Sequence, residues 1–324
     1  MVKELRELAD SIRNNKNIIQ KKEINPIVQY IDSNSYKSER IFSDIGEDSA
    51  AIRDGETYTL ITTDRIITSF IENYPFGAGF SSILVSVDDI YACGGTPLGA
   101  SIILSYKKEK IGKQILQGIC EGSNKFKVPI IRGHTNTNGV CYELSSTMIG
   151  EIEKENYISA GGARVGDYII LATDFDGKIG KASKFFFDTT TFKTSEEVLR
   201  KRKSMNTIAE KHLANASKDI SNGGIFGTIL QLINYSNVGA DIDINKIEIP
   251  PILKEANYDL IMYSNMYLTT SYVLTAQREN CESMVEIFKE FGLQANVIGK
   301  IIKEKNLLRL NNGKKNSFID VIKF

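Results

Sequence analysis

The sequence predicts an α+β protein with two domains. Some segments repeat apolar residues at helical spacing and others alternate them as strands do, without the regular strand–helix–strand order of a doubly wound sheet. The chain has 324 residues, so two domains are the expectation and one large domain is the alternative. A polar, glycine-rich seam, ENYISAGGARVGD, divides it. We expect an N-terminal helical segment over 1–44, one domain over 45–155 and a second over 156–324.

The composition is typical of a globular protein, with 42% hydrophobic and 25% charged residues. Its 40 basic and 40 acidic side chains cancel, whereas a nucleic-acid or membrane surface would need a basic excess. The charged N-terminus, MVKELRELADSIRNNKN, predicts an amphipathic helix and lacks the apolar segment of a signal peptide. Four widely spaced cysteines indicate buried free thiols in a reducing compartment. We therefore expect a cytoplasmic protein that binds neither nucleic acid nor membrane.

The first half of the chain mixes helices and strands. A helix from Val2 to about Ile19 precedes a short helical stretch, KKEINPIVQYI. The strand TYTLITT ends at Asp64, and the next helix stops at the GGTP turn because Gly94 favours a C-terminal cap. The other expected elements are a strand over 98–106, a helix over 111–126, a strand over 128–131 that leads into the turn-rich loop RGHTNTNG, and a strand over 142–152.

The second half starts with the strand YIILAT at Tyr168 and continues with the same mixture. A turn-rich segment, DISNGG, precedes its most apolar helix. The expected elements after Tyr168 are helices over 196–215, 225–235 and 279–291 and strands over 266–275 and 295–301.

Two adjacent carboxylates stand in the most apolar part of the chain. The 34 residues from Asn73 to Tyr106 carry only two charges, Asp88 and Asp89. A carboxylate is almost never buried unless it is paired or binds a metal, and no basic residue lies nearby in sequence. Asp89 falls opposite the apolar stripe of its helix, on a small-residue face that suits a ligand or another backbone. Asp88 lies at the edge of the stripe and fits an ordinary hydrogen-bonded partner.

Three loops carry acidic, hydroxyl or amide groups beside glycine or a strand end. The segment at 46–51 is by itself most simply a surface turn, and that at 62–64 a turn or helix cap. For the segment at 219–224, helix capping and phosphate binding are equally favoured.

If Asp48, Asp64 and Asp89 lie close together in the fold, a cation is needed to balance their charges. Two carboxylates at ~4 Å repel by about 4 kcal/mol at an effective dielectric near 20, so the three would bind Mg²⁺ or stay partly protonated. Such carboxylates beside glycine loops, without a Walker-type lysine, indicate a nucleotide site. His134 is one of two histidines, and a lone histidine is more often structural than catalytic. Its position in a polar loop beside Gly133 makes the two roles more nearly equal.

The chain resembles the aminoimidazole ribonucleotide (AIR) synthase superfamily in six segments that occur in the same order. Members of that superfamily include thiamine-monophosphate kinase, selenophosphate synthetase and the hydrogenase maturation factor HypE. The segments are IGEDSAAI, LITTD, VSVDDIYACGGTPL, GHT, GARVGDYIILAT and KDISNGGIFGTI. The stretch FFFDTTTFKTSEEVLRKRK resembles above all the AIR synthase-related proteins of the methanogenesis marker 2 type.

The resemblance implies a PurM-like architecture, in which an N-terminal mixed sheet with helices dimerises and a C-terminal α/β sandwich-type domain follows. It implies a homodimer with ATP and Mg²⁺ near the interface, and ATP-dependent phosphorylation or activation of an oxygen of a small-molecule substrate. Asp48 matches an acid of the usual GDD loop, 62–64 matches the TTD segment, and Asp89 matches the acid of an NLSD or NVND helix. Residues 219–222 match a DISDG loop.

The site residues implied in this way form three overlapping sets. The catalytic set is Asp48, Asp64, Asp89 and His134. The metal ligands are Asp48, Asp64, Asp89 and Asp219. The nucleotide-binding set is Gly46, Thr62, Thr63, Gly133, Thr135, Asn136, Asp219, Ser221, Asn222 and Gly223.

Two positions depart from the family pattern. His134 stands where the kinases carry a metal-binding acid and resembles the GGHT of selenophosphate synthetase, while Asn222 replaces the acid of DISDG. These departures leave a nucleotide-binding scaffold or sensor without catalysis as the alternative, and a metal-dependent phosphohydrolase as the third hypothesis. From the N-terminal segment, Lys21 or Lys22 could reach a phosphate.

Overall fold

Two main β-sheets, one in each half of the chain, organise the structure, a computed structural model that describes residues 2–43, 45–314 and 318–323. The first half contains α1 (Val2–Arg13), α2 (Lys16–Asn34), β1 (Ile41–Ser43), β2 (Ala50–Asp54), β3 (Thr57–Arg65), α3 (Thr68–Asn73), α4 (Pro75–Ala92), β4 (Thr96–Ser105), α5 (Glu109–Phe126), β5 (Ile130–Asn136) and β6 (Glu143–Glu153). Its six strands lie in the order β1-β2-β3-β6-β4-β5, and only β4 and β5 pair in parallel.

The second half forms a seven-stranded sheet in the order β10-β13-β7-β14-β11-β15-β16 and a small sheet in the order β12-β9-β8. Its elements are β7 (Tyr168–Thr173), β8 (Lys178–Ile179), β9 (Phe186–Asp188), α6 (Ser195–Glu210), β10 (Ala216–Asp219), α7 (Gly224–Tyr235), β11 (Gly239–Asp243), α8 (Pro251–Glu255), α9 (Leu260–Ser264), β12 (Tyr267–Leu268), β13 (Ser271–Ala276), α10 (Arg278–Glu290), β14 (Gln294–Ile302), β15 (Leu307–Asn311) and β16 (Phe318–Lys323). The mixture of helices and sheets in both halves confirms the predicted α+β class.

Helix α4 lies at the centre of the molecule and carries the two adjacent aspartates. It packs against the first sheet, against α5 and against α6 of the second half. Its contact with α5 is made backbone to backbone: a Cβ added to Gly79 would stand 2.1 Å from the Ile115 carbonyl oxygen, and one added to Gly118 would stand 2.0 Å from that of Phe76. One continuous apolar core therefore includes α4, α5 and α6 and joins the two halves.

The N-terminal segment is two helices, as predicted, but the boundary predicted near Ile19 is wrong, because the first helix ends at Arg13. Asn15 starts α2, because its side chain accepts hydrogen bonds from the backbone N–H groups of Asn17 at 2.9 Å and Ile18 at 3.3 Å. Helix α2 then runs 19 residues, longer than the short stretch expected. The apolar face of α1 is buried in the core of the second half, where α1 packs on β16.

Three further predictions need correction. The segment predicted as the loop RGHTNTNG is largely strand β5, which satisfies its backbone by pairing with β4 and leaves every one of its side chains exposed. The strand predicted over 266–275 is split into β12 and β13, because Thr270 takes a left-handed φ of 54° between them. All four cysteines are free, as predicted, but Cys120 is exposed rather than buried. Within the described residues, none of the helices is both long and apolar enough to span a bilayer.

Candidate functional site

Three carboxylates from separate elements meet at one point. Asp48 lies in the loop before β2, Asp89 near the end of α4, and Asp219 at the end of β10. One oxygen of each lies within 4.8 Å of the others, and we call this group the carboxylate cluster. Two of these elements belong to the first half of the chain and one to the second, so folding of both halves is needed to form it.

Asp48 is held in the cluster by contacts from β10. Its Oδ1 is paired with the Lys218 ammonium, and its Oδ2 accepts the backbone N–H of Asp219 at 3.1 Å. Burial lowers the pKa of Lys218, but the Asp48 carboxylate more than offsets this, and the pKa stands above its usual value. Lys218 thus stays charged inside the protein.

The loop that presents Asp48 is fixed from two sides. Glu47 accepts hydrogen bonds from the Ser159 hydroxyl at 2.5 Å and the Ala160 N–H at 2.6 Å. Gly46 has a φ of +93°, and a Cβ there would stand 2.3 Å from the ring of Tyr235. This position therefore requires glycine for its backbone and for space, which explains Gly46 without a contact to a ligand.

Strand β3 places two of its predicted residues beside the cluster and one away from it. The Thr62 hydroxyl donates to Asp89 Oδ2 at 2.6 Å, and the Ser86 hydroxyl donates to Asp64 Oδ2 at 2.7 Å. Thr63 points to the other face, as alternation along a strand requires, and its exposed hydroxyl lies 3.0 Å from that of Thr147. Thr63 is therefore not brought to the cluster. Asp64 lies next to it, outside the group of three.

The electrostatics of the cluster favour the binding of a cation. Burial raises the pKa of Asp89 well above its usual range, and the neighbouring carboxylates raise it further. The pKa of Asp219 is raised in the same way, by burial and then by the charge of Asp48. Burial also raises the pKa of Asp64. Carboxylate oxygens are the ligands that Mg²⁺ prefers, so the donor set fits a divalent hard cation.

Helix α2 brings Lys21, not Lys22, to the site. The Lys21 ammonium donates to the Ser221 hydroxyl at 3.0 Å and to Gln231 Oε1 at 2.5 Å, whereas Lys22 is exposed. Burial lowers the pKa of Lys21 to about 8, and the charge of Lys218 adds to the effect, against the attraction of the cluster. Lys21 therefore extends the site toward the loop before α7.

The loop before α7 has no side-chain cap, although the sequence favoured helix capping and phosphate binding equally there. The residue before the helix is Gly223, without a side-chain cap, so neither Ser221 nor Asn222 caps α7. The Asn222 carbonyl instead accepts a hydrogen bond from the Asn17 amide at 2.7 Å. Helix α2 thus lies over the loop, and Lys21 is the group that it presents there.

Asp88 turns away from the cluster. Its Oδ1 accepts from Arg202 Nε at 2.7 Å, and Arg202 on α6 is 0% exposed. Burial raises the pKa of Asp88, and the guanidinium opposes that rise. Asp88 is therefore paired with a guanidinium from the second half, whereas Asp89 belongs to the carboxylate cluster.

His134 and its neighbours Gly133, Thr135 and Asn136 are not brought to the cluster within one chain. All four lie on the exposed edge strand β5. Asp64 pairs with Ser146, Ser146 with Ile102, and Ile102 with Gly133, so three strand spacings separate β3 from β5. At 4.7–4.9 Å for each, the separation is about 14 Å. The structure therefore does not bring His134 to the cluster of its own chain, and its catalytic role stays a prediction.

Sequence reasoning missed Lys218 and Arg202. Each is a charged residue in a segment that packs as core, and Lys218 lies in the buried strand ASKD. The rule that singled out Asp88 and Asp89, a charge in an apolar segment, finds neither of these two, because Lys218 lies in the polar stretch NASKDISN and Arg202 in the basic stretch RKRK. It could not have paired Lys218 with Asp48, because 170 positions separate them.

The chain matches two family models that together cover most of its length. The model "AIR synthase related protein, N-terminal domain" matches residues 46–152, and the model for the C-terminal domain matches residues 164–308. An uncharacterised protein of Methanocaldococcus jannaschii is 35% identical over 94% of this chain and 93% of its own. The thiamine-monophosphate kinase of Buchnera aphidicola subsp. Schizaphis graminum is 27% identical over 89% of this chain and 94% of its own.

A solved structure shares the fold. The structure of AaThiL complexed with AMPPCP and TMP superposes with a TM-score of 0.68 at 20% identity, over 93% of this chain and 98% of the other. At this identity the likeness concerns the fold alone, and it confirms the two-domain PurM-like architecture.

Proposed function

This chain belongs to the family of AIR synthase related proteins, and from that premise we propose that it is an ATP- and Mg²⁺-dependent enzyme. The proposed reaction is phosphoryl transfer to an oxygen of a small-molecule substrate, or activation of that oxygen for displacement. The observation that carries the proposal is the carboxylate cluster, in which Asp48, Asp89 and Asp219 lie within 4.8 Å of one another. Relatives with curated names include a kinase, the thiamine-monophosphate kinase described above.

The residues of the cluster have distinct proposed roles. Asp89 and Asp219 would hold Mg²⁺, with Asp48 as a third ligand that Lys218 and the Asp219 N–H keep in place. The hydroxyl of Thr62 orients Asp89 through its hydrogen bond. A bound Mg²⁺ supplies charge neutralisation for phosphate oxygens.

Lys21 is the proposed anion-binding side chain of the site. It is half-buried, yet its two hydrogen bonds go to neutral acceptors, and among the described residues no carboxylate lies within 4.0 Å of its ammonium. Lysine binds phosphate as a compact point charge, and a charged hydrogen bond is stronger than a neutral one. A phosphate bound beside the cluster would give Lys21 the anionic partner that it lacks.

Binding of a nucleotide tests the proposed site directly. We would measure calorimetrically the affinity of the full chain for Mg²⁺ with AMPPNP, for wild type, Asp89→Asn and the exposed control Asp54→Asn. The expected result is a loss of at least tenfold in affinity for Asp89→Asn alone. Equal affinities for all three proteins would refute the site. An ADP-release screen against small carboxylates, amides and phosphates would then identify the acceptor.

A scaffold or sensor that binds nucleotide without catalysis is the second candidate. Two departures from the family pattern favour it. His134 lies outside the cluster of its own chain. Asn222 stands where an acidic side chain is usual, and its backbone carbonyl accepts a hydrogen bond from Asn17. Tight binding of Mg²⁺–ATP together with no ADP formed across the whole acceptor panel would favour this candidate over the enzyme.

We further propose a homodimer in which a second copy covers strand β5. Among the described residues this strand pairs on one side only. Ile131 on β5 is 60% exposed, and Ile103 on the neighbouring β4 is 52% exposed. An open edge with apolar side chains is a surface that proteins normally cover. Sedimentation velocity would show a dimer for wild type and for Val165→Lys, another exposed apolar position, and a monomer for Ile131→Lys. A stable wild-type monomer would contradict it.

A further inference from the structure

Lys218 is a cation built into the carboxylate cluster. Its side chain comes from the buried strand β10 and is 4% exposed. The ammonium pairs with Asp48, lies 3.4 Å from the Gly46 carbonyl oxygen and stands 5.6 Å from the centre of the Tyr235 ring. Because these neighbours are themselves held in place, the Lys218 ammonium is confined to the carboxylate cluster.

The charges of the site can be counted. The three carboxylates of the cluster carry three negative charges when ionised, and Lys218 supplies one positive charge. Asp64 and Lys21 flank the cluster without pairing, and their opposite charges add nothing to the net charge. The remainder is two negative charges, which one divalent ion neutralises. Without Lys218 the remainder would be three negative charges, of which one divalent ion neutralises two, so the site would still attract a second ion.

We propose that Lys218 takes the place of one divalent metal ion in the carboxylate cluster, so that the cluster holds one ion fewer than its three carboxylates alone would hold. This inference rests on the metal site of the proposed function and adds its stoichiometry. Lys218 is here a positioning residue, since it acts through Asp48. The competing explanation is that the ion pair only anchors the loop that carries Asp48.

The number of bound Mn²⁺ ions distinguishes these explanations, without any nucleotide. Calorimetry on the full chain, with free Mn²⁺ measured by electron paramagnetic resonance, would compare wild type with Lys218→Met and Lys218→Arg. We expect one ion for wild type, two for Lys218→Met and one for Lys218→Arg, which keeps the charge. Loss of a loop anchor cannot create a second metal site, so a gain of binding is specific to the proposed role.

A second pair of variants keeps the test decisive if Lys218→Met does not fold. Asp48→Asn leaves one negative charge after the same count, and its affinity for Mn²⁺ should fall at least tenfold. Combining Asp48→Asn with Lys218→Met restores two negative charges and removes the buried pair as a whole. That double variant should regain most of the lost affinity. If Lys218 were only an anchor, removing it would not improve binding.

The outcomes separate this inference from the proposed function. One ion bound by both wild type and Lys218→Met, or no recovery in the double variant, would overturn the inference and leave the metal site standing. No Mn²⁺ bound by any of the proteins would overturn both the inference and the metal site. A difference of one ion between wild type and Lys218→Met, with Lys218→Arg like wild type, would support it.

Discussion

Replacing Asp89 by asparagine should stabilise the metal-free protein. Asp89 has two neighbours in the cluster with carboxylate oxygens within 4.8 Å, and the charge of Lys218 beside Asp48 offsets one of them. Asp64 lies next to the cluster and adds to the repulsion. One remaining pair of charges at that distance repels by about 3.5 kcal/mol at an effective dielectric of about 20. Asparagine keeps the shape and a hydrogen-bond acceptor for Thr62. We therefore expect Asp89→Asn to raise the free energy of unfolding by about 2–3 kcal/mol at pH 8 in the presence of a chelator.

The gain should depend on pH in a defined direction. The pKa of Asp89 is raised on folding, so the native state binds more protons than the unfolded state. The stability of wild type therefore falls as the pH rises from about 4, the usual carboxyl pKa, through the raised value. Asp89→Asn lacks this part of the fall. The difference between the two proteins should be small at pH 5 and largest at pH 8.

Urea unfolding in a chelator at both pH values measures this difference, and Asp48→Asn is the matched control. It removes the same charge but leaves buried Lys218 without its carboxylate, so it should destabilise the protein. Added Mg²⁺ should stabilise wild type and have little effect on Asp89→Asn. The reasoning is refuted if Asp89→Asn is less stable than wild type at pH 8, or if Asp48→Asn stabilises as much.

Three other substitutions have expected outcomes. Arg202→Met leaves the buried Asp88 carboxylate without its cation, so the free energy of unfolding measured in urea should fall by about 3–5 kcal/mol. Adding Asp88→Asn should restore part of it, and a loss below about 1 kcal/mol would contradict the ion pair. Gly46→Ala forces a Cβ against a ring and a left-handed φ, so calorimetry should show weaker Mn²⁺ binding at the cluster, and unchanged affinity would contradict that role of the glycine. Lys21→Met should weaken the binding of Mg²⁺–AMPPNP about tenfold or more, whereas Lys22→Met should not, and equal effects of the two would exclude the specific role of Lys21.

Much of the site could be predicted because it depends on local chemistry. The rule that a carboxylate in an apolar segment needs a partner singled out Asp88 and Asp89 before any fold was known. Strand alternation put Thr62 and Asp64 on one face of β3, beside the cluster. The order of short motifs indicated the family, and the matches to its two domain models confirm it.

The errors have a common physical origin. RGHTNTNG has the composition of a turn, yet most of it is a strand, because pairing with β4 satisfies its backbone whatever its side chains are. The position of His134 is likewise set by the register of the first sheet, which places β5 about 14 Å from β3 within one chain. Local sequence carries no information on either point.

The sequence by itself singled out Asp88 and Asp89, because they are the only charges in a long apolar segment, but it did not single out Lys218 or Arg202, which lie in polar segments. Only the tertiary structure decided which charges are neighbours. Asp88 pairs with Arg202, 114 positions away in sequence, and Asp48 pairs with Lys218, 170 positions away. Electrostatic energy depends on distance in space, and that distance was set by the packing of α4 against α6 and of the Asp48 loop against β10.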